Sequence, residues 1–79
     1  MKTLEKLYEK PTRADIKWTD IVALLKACGG NILQREGSRV CIKLGHQRAV
    51  FHAPHPYKET VKGAVEDVRG FLRQAGIMP

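Results

Sequence analysis

Long apolar runs are missing from this chain. A membrane-spanning helix needs about 20 consecutive, mostly apolar residues, and no stretch here comes near that. The opening residues, Met1 to Tyr8, contain no apolar core, so no secretory signal is expected and the default location is cytoplasmic. Cysteine is scarce: Cys28 and Cys41 are the two present, and there is no Cys-x-x-Cys spacing. That argues against a zinc site or a redox motif, and neither a metal nor another cofactor is expected. Both cysteines read as small free thiols, Cys28 on the apolar stripe of a helix and Cys41 inside a strand. Acidic residues are also in short supply, eight against fourteen lysines and arginines, which leaves a net charge of +6.

What remains is a short chain of ordinary globular composition. Its 79 residues, 43% hydrophobic and 28% charged, support one domain with one modest core. The positive charge is unevenly spread. Residues 1–34 carry six basic and four acidic side chains, residues 35–62 carry six basic and two acidic, and in residues 63–79 the signs cancel. All three histidines, His46, His52 and His55, lie in the electropositive middle segment. Such a patch attracts polyanions, of which phosphate backbones are the commonest, although a solvated basic surface gives the same composition.

Hydrophobic spacing divides the chain into elements. Leu4, Leu7 and Tyr8 sit at helical spacing between Lys2 and Lys10, and Pro11 ends that short helix. Residues 11–17 read as a connector. Thr19 is a good N-cap for a second helix, in which Ile21, Leu24, Leu25 and Cys28 recur at i, i+3, i+4 and i+7 before Gly29-Gly30 stops it. The period then falls to two. Asn31 to Arg35 is a short strand, Glu36-Gly37 a turn, Ser38 to Leu44 a second strand, Gly45-His46 a turn, and Gln47 to His52 a third strand. Val40, Ile42, Leu44, Ala49 and Phe51 then share one face, and Arg39, Cys41, Lys43, Arg48, Val50 and His52 the other. Pro54 and Pro56 cannot extend a ladder, so a polar loop is expected to Val61. A last helix runs from Lys62 to about Ala75, with Gly70 inside it as a site of close packing. The expected class is α+β: an α-β-β-β-α unit with both helices on one face of a three-stranded antiparallel sheet, preceded by a short N-terminal helix.

That element order is shared with double-stranded RNA-binding domains. The motifs narrow the match. Trp18-Thr19-Asp20-Ile21 leads into Leu24-Leu25 and Gly29. Gly37-Ser38-Arg39-Val40, Phe51-His52-Ala53-Pro54-His55-Pro56, Glu59-Thr60 and Lys62-Gly63 follow in order, and Phe71-Leu72-Arg73-Gln74-Ala75-Gly76 closes the set. As an ordered set they resemble the HicA family of toxins, in a branch with an extra N-terminal helix. The resemblance runs from Trp18 to Ile77. It divides the chain into residues 1–17, a helical extension and connector, and residues 18–79, a HicA-like domain of the double-stranded RNA-binding fold. It implies a metal-independent ribonuclease that cleaves messenger RNA, belongs to a toxin–antitoxin pair and is neutralised by a HicB-like antitoxin. In the family a histidine directly after the glycine-serine pair is taken as catalytic. Here Arg39 stands at that place.

RNA cleavage without a metal needs a base for the 2′-hydroxyl proton, an acid for the leaving 5′-oxygen and a cation on the phosphorane. Histidine suits proton transfer, and arginine suits bidentate contact with phosphate. If the second and third strands pair through the Gly45 turn, Arg39 and His52 fall near one end of the hairpin, so these two are the catalytic candidates. Arg35, Lys43, Arg48, His55, Lys58 and Lys62 are the RNA-binding candidates, the last two because an anion is favoured near a helix N-terminus. His46 belongs at a turn tip in solvent. A non-catalytic module of the same fold, binding RNA or antitoxin, is the alternative that Arg39 leaves open. A DNA-binding repressor is disfavoured, since no two helices follow each other as a helix-turn-helix.

Overall fold

A computed structural model describes residues 2–54 and 58–79. The order is α1 (Lys2–Leu7), α2 (Trp18–Ala27), β1 (Asn31–Glu36), β2 (Arg39–Leu44), β3 (Gln47–His52) and α3 (Lys62–Gln74). The strands form one antiparallel sheet in the order β1-β2-β3. Two-residue turns join them, Gly37-Ser38 and Gly45-His46. In each turn the glycine comes first and takes a positive φ, +61° at Gly37 and +62° at Gly45, which matches the twist of a tight hairpin and which other residues adopt poorly. The first turn is thus one residue later than Glu36-Gly37, and Glu36 stays in the strand.

The period-two segment buries the expected side. Val40, Ile42, Leu44 and Phe51 are at most 5% exposed, and Ala49 packs against them. The helices cover this face with Ile21, Leu24 and Leu25 from α2 and Val65, Val68, Phe71 and Leu72 from α3. The fold is therefore the α+β arrangement of double-stranded RNA-binding domains, with both long helices on one side and the other side of the sheet open. Three aromatic rings pack in series from the core to its margin. Phe51 meets Phe71 edge-on, with centroids 5.5 Å apart, and Trp18 in a tilted contact at 6.3 Å.

The segment from residue 2 to residue 17 packs into the same core. Leu7 is fully buried and Ile16 is 3% exposed. The α1 helix stops at Leu7, short of the expected Lys10. Its last turn tightens through i→i−3 bonds from Tyr8 N–H to Glu5 and Glu9 N–H to Lys6. Arg69 on α3 then takes over: Nε donates to the Leu7 carbonyl at 2.6 Å, and Nη2 donates to Thr12 Oγ1 at 3.1 Å and the Glu9 carbonyl at 3.4 Å. Tyr8 Oη donates to the Ile77 carbonyl at 2.8 Å, with Arg73 stacked over the Tyr8 ring. Beyond this clamp, Arg13 grips Asp15 through two hydrogen bonds of 2.8 and 2.7 Å and Glu9 through one of 3.0 Å. The bonds from Arg13 hold the Asp15 carboxyl down at about 2, below its ordinary range.

Three further expectations change. Thr19 does not cap α2; the N-cap is Lys17, with no side-chain bond. The helix start is fixed by a short ladder with the segment before α3: Thr60 N–H donates to the Ile16 carbonyl at 2.7 Å and Trp18 N–H to the Lys58 carbonyl at 3.1 Å, around the Lys17–Glu59 bridge. That ladder draws Thr60, 1% exposed, into the interior of what reads as a polar loop. Gly70 serves no close approach, since nothing lies within 4 Å of where its Cβ would be.

Candidate nucleic-acid interface

The register of the β2–β3 hairpin decides which side chains meet on the open face. Arg39 is opposite His52, Cys41 opposite Val50, and Lys43 opposite Arg48. Directly opposed residues on one face bring their Cβ atoms within about 5.5 Å. Arg39 and His52 are thus neighbours at the end of the hairpin remote from Gly45, both exposed. Ala53 N–H donates to the Ser38 carbonyl at 2.7 Å, which carries the pairing one residue further and fixes that end. Lys43 and Arg48 put two like charges side by side, an arrangement that costs stability unless an anion lies over it. Among the described residues the ion pairs are those of Arg13 with Glu9 and Asp15, so these four sheet-face side chains have no carboxylate within 4 Å.

The first strand contributes differently from what strict alternation suggests. Its pairing with β2 shifts between Ile32 and Gln34, a β-bulge. Ile32 is opposite Ile42 and packs on the core, but past the bulge Arg35 is opposite Val40 and Glu36 opposite Arg39. One extra residue reverses which face each later side chain takes. Arg35 therefore belongs to the helix-covered side of the sheet, at its exposed edge, and is not brought together with Lys43 and Arg48. Glu36 joins Arg39, Cys41 and Val50 around a recess of about 240 Å³ on the open face. The face is otherwise cationic, with Leu33 and Val50 as its large exposed apolar residues.

A second basic region lies around the beginnings of the two long helices. The α3 helix starts from Val61 with no side-chain cap and no acid in its first turn, so its leading N–H groups and Lys62 present positive potential to solvent. Lys58 lines a groove of about 440 Å³ together with Lys17, Trp18, Thr19 and Pro54. Trp18 and Lys17 escaped the reading of the sequence as site residues; the one signal for them was a cation next to the single tryptophan. His46 is at the opposite hairpin turn, exposed and remote from Arg39. The His55 expectation lies outside the described residues. Among those described, no three His, Cys, Asp or Glu side chains cluster as metal ligands would, and no helix is long and apolar enough to cross a membrane.

The model of one protein family, described as the HicA toxin of bacterial toxin–antitoxin systems, matches residues 18–77. No curated protein and no solved structure matches the chain. The match begins at the first residue of α2, ends three residues past α3, and takes in the whole sheet with both catalytic candidates. The chain belongs to the HicA family of toxins, whose members act in toxin–antitoxin pairs.

Proposed function

We propose that this chain is an endoribonuclease that cuts messenger RNA and is neutralised by a HicB-like antitoxin. The observation that carries the reading is the cross-strand pair of Arg39 and His52 on an open, cationic sheet face. His52 takes the proton of a ribose 2′-hydroxyl, and the freed 2′-oxygen bonds to phosphorus. The bond to the 5′-oxygen breaks, that oxygen is protonated, and a 2′,3′-cyclic phosphate remains. Arg39 holds the phosphorane oxygens. Lys43, Arg48, Lys58 and Lys62 attract and hold the backbone on either side. The antitoxin is acidic where it meets the sheet face, and it blocks RNA by covering Arg39, Lys43, Arg48 and His52 around an apolar centre of Leu33 and Val50.

A second reading is favoured by Arg39 itself, which stands where the family resemblance expects a histidine. In it the chain binds RNA or antitoxin without cutting. Growth arrest on expression and cleavage of RNA in the presence of a chelator separate the two. Cleavage by the wild type, lost in a folded His52→Ala variant and kept in His46→Ala, supports the enzyme. Retention of both activities in His52→Ala removes the assignment. A wild type that binds RNA without cutting it leaves the binding module.

A further inference from the structure

We propose that the groove beside Trp18 is a stacking site for an unpaired base of single-stranded RNA, with the adjoining phosphates held by Lys17 and Lys58. The inference rests on the RNA reading above and adds to it a strandedness and a second binding position. Trp18 is half-buried. The indole makes a tilted contact with Phe51, and Trp18 also lines the groove with the two lysines, Thr19 and Pro54. The seat is stiff, because Trp18 N–H is held by the Lys58 carbonyl and the preceding residue bridges to Glu59. An aromatic side chain on an anchored backbone, in a groove that two lysines also line, suits a nucleobase with its adjoining phosphates.

The groove also leads to the catalytic candidates. A neighbouring recess of about 500 Å³ is lined by Gly37, Ser38, Ala53 and Pro54, and Pro54 belongs to both. Ser38 and Ala53 immediately adjoin Arg39 and His52 in the chain and are bonded to each other. A strand with one base on Trp18 is thereby directed to the Arg39–His52 end of the hairpin. A duplex finds less here. It requires cationic contacts spaced across successive grooves, and the exposed face of α2, with Thr19, Asp20, Ala23, Lys26 and Ala27, has one base and one acid.

Trp18 is the sole tryptophan, so emission excited selectively at tryptophan, beyond the tyrosine absorption, reports this groove alone. The probe is a 2′-O-methyl oligonucleotide of about eight nucleotides, single-stranded or annealed to its complement, which lacks the attacking hydroxyl. Anisotropy of labelled probe measures binding in parallel. The single strand is expected to quench emission saturably, with the same midpoint as the anisotropy, and the duplex is expected to do so far less. Trp18→Leu should weaken single-strand binding about tenfold or more, while Trp18→Phe should retain most of it. Lys17→Ala and Lys58→Ala should weaken it and lower its salt dependence. Circular dichroism checks each variant, and if Trp18→Leu unfolds, the wild-type quenching and the lysine variants decide. Binding with unchanged emission, equal quenching by duplex, or quenching by an acidic protein partner but not by RNA overturns the stacking site and leaves RNA binding standing where anisotropy shows it. No binding of either probe at low salt removes both readings.

Discussion

Arg69 reaches from the middle of α3 to the carbonyl of Leu7, 62 residues earlier, and closes the last turn of α1 with a 2.6 Å bond. The carbonyls at a helix end have no partner within the helix, and here a guanidinium supplies one while spanning Thr12 as well. Arg69→Ala is expected to cost about 1.5–3 kcal/mol in chemical denaturation, as loss of a charged hydrogen bond does. Arg69→Lys should not restore it, because a single ammonium cannot reproduce the forked contact. Leu7→Ala should cost about 2–5 kcal/mol by leaving a cavity. Stability unchanged in both Arg69→Ala and Leu7→Ala would show that the N-terminal segment is dispensable to the core.

The bulge in β1 gives a test of which basic residues meet RNA. Each phosphate contact to a single strand contributes about 0.7 to the slope of log affinity against log salt. Lys43→Ala and Arg48→Ala should each reduce the slope by that amount. Arg35→Ala should change it little, since Arg35 takes the opposite side of the sheet. An equal loss in all three would mean that the field of the whole molecule, not the open face, attracts the nucleic acid.

Asp15 provides a pH test. Its carboxyl is held at about 2 by the hydrogen bonds from Arg13, against an ordinary 3.8. A lowered value means that the ionised form favours the folded state. The contribution is present above the ordinary value and disappears as pH falls from about 4 through about 2. Both side chains are solvent-exposed, so the effect is best read from the titration itself. Carbon-detected NMR should find Asp15 titrating near the bottom of the carboxylate range, and Arg13→Ala should return it to ordinary behaviour.

Gly70 sits inside α3 with open space where a Cβ would be. Gly70→Ala should therefore stabilise the protein by about 0.5–1 kcal/mol, seen as a higher denaturation midpoint, with RNA binding unchanged. A loss of stability would reveal a close neighbour of α3 in solution.

These tests follow the boundary between what the residues disclose by themselves and what pairing adds. The apolar sets of α2 and β2, the whole of β3 and the meeting of Arg39 with His52 were legible, because a period of 3.6 or 2 is written in consecutive residues. The bulge was not. It arises from how β1 aligns against β2, and nothing local marks Arg35 and Glu36 as exchanging sides. Ile16 was missed because one apolar residue in a connector has no period. Thr19 was misjudged because a backbone ladder from the 58–60 segment, distant in sequence, does the work of a cap. The Trp18 groove depends on the same ladder, which brings Lys58 beside Lys17 across forty-odd residues of chain.

The extra residue in β1 has a consequence beyond the choice of faces. Because the strand order is β1-β2-β3, β1 is an outer edge, where unpaired N–H and C=O groups offer a template on which another chain could zip itself. The irregularity between Ile32 and Gln34 breaks that template in the middle, so a copy aligned with the first half falls out of phase with the second. The chain is thereby guarded at this edge against growing into a continuous sheet with its own kind.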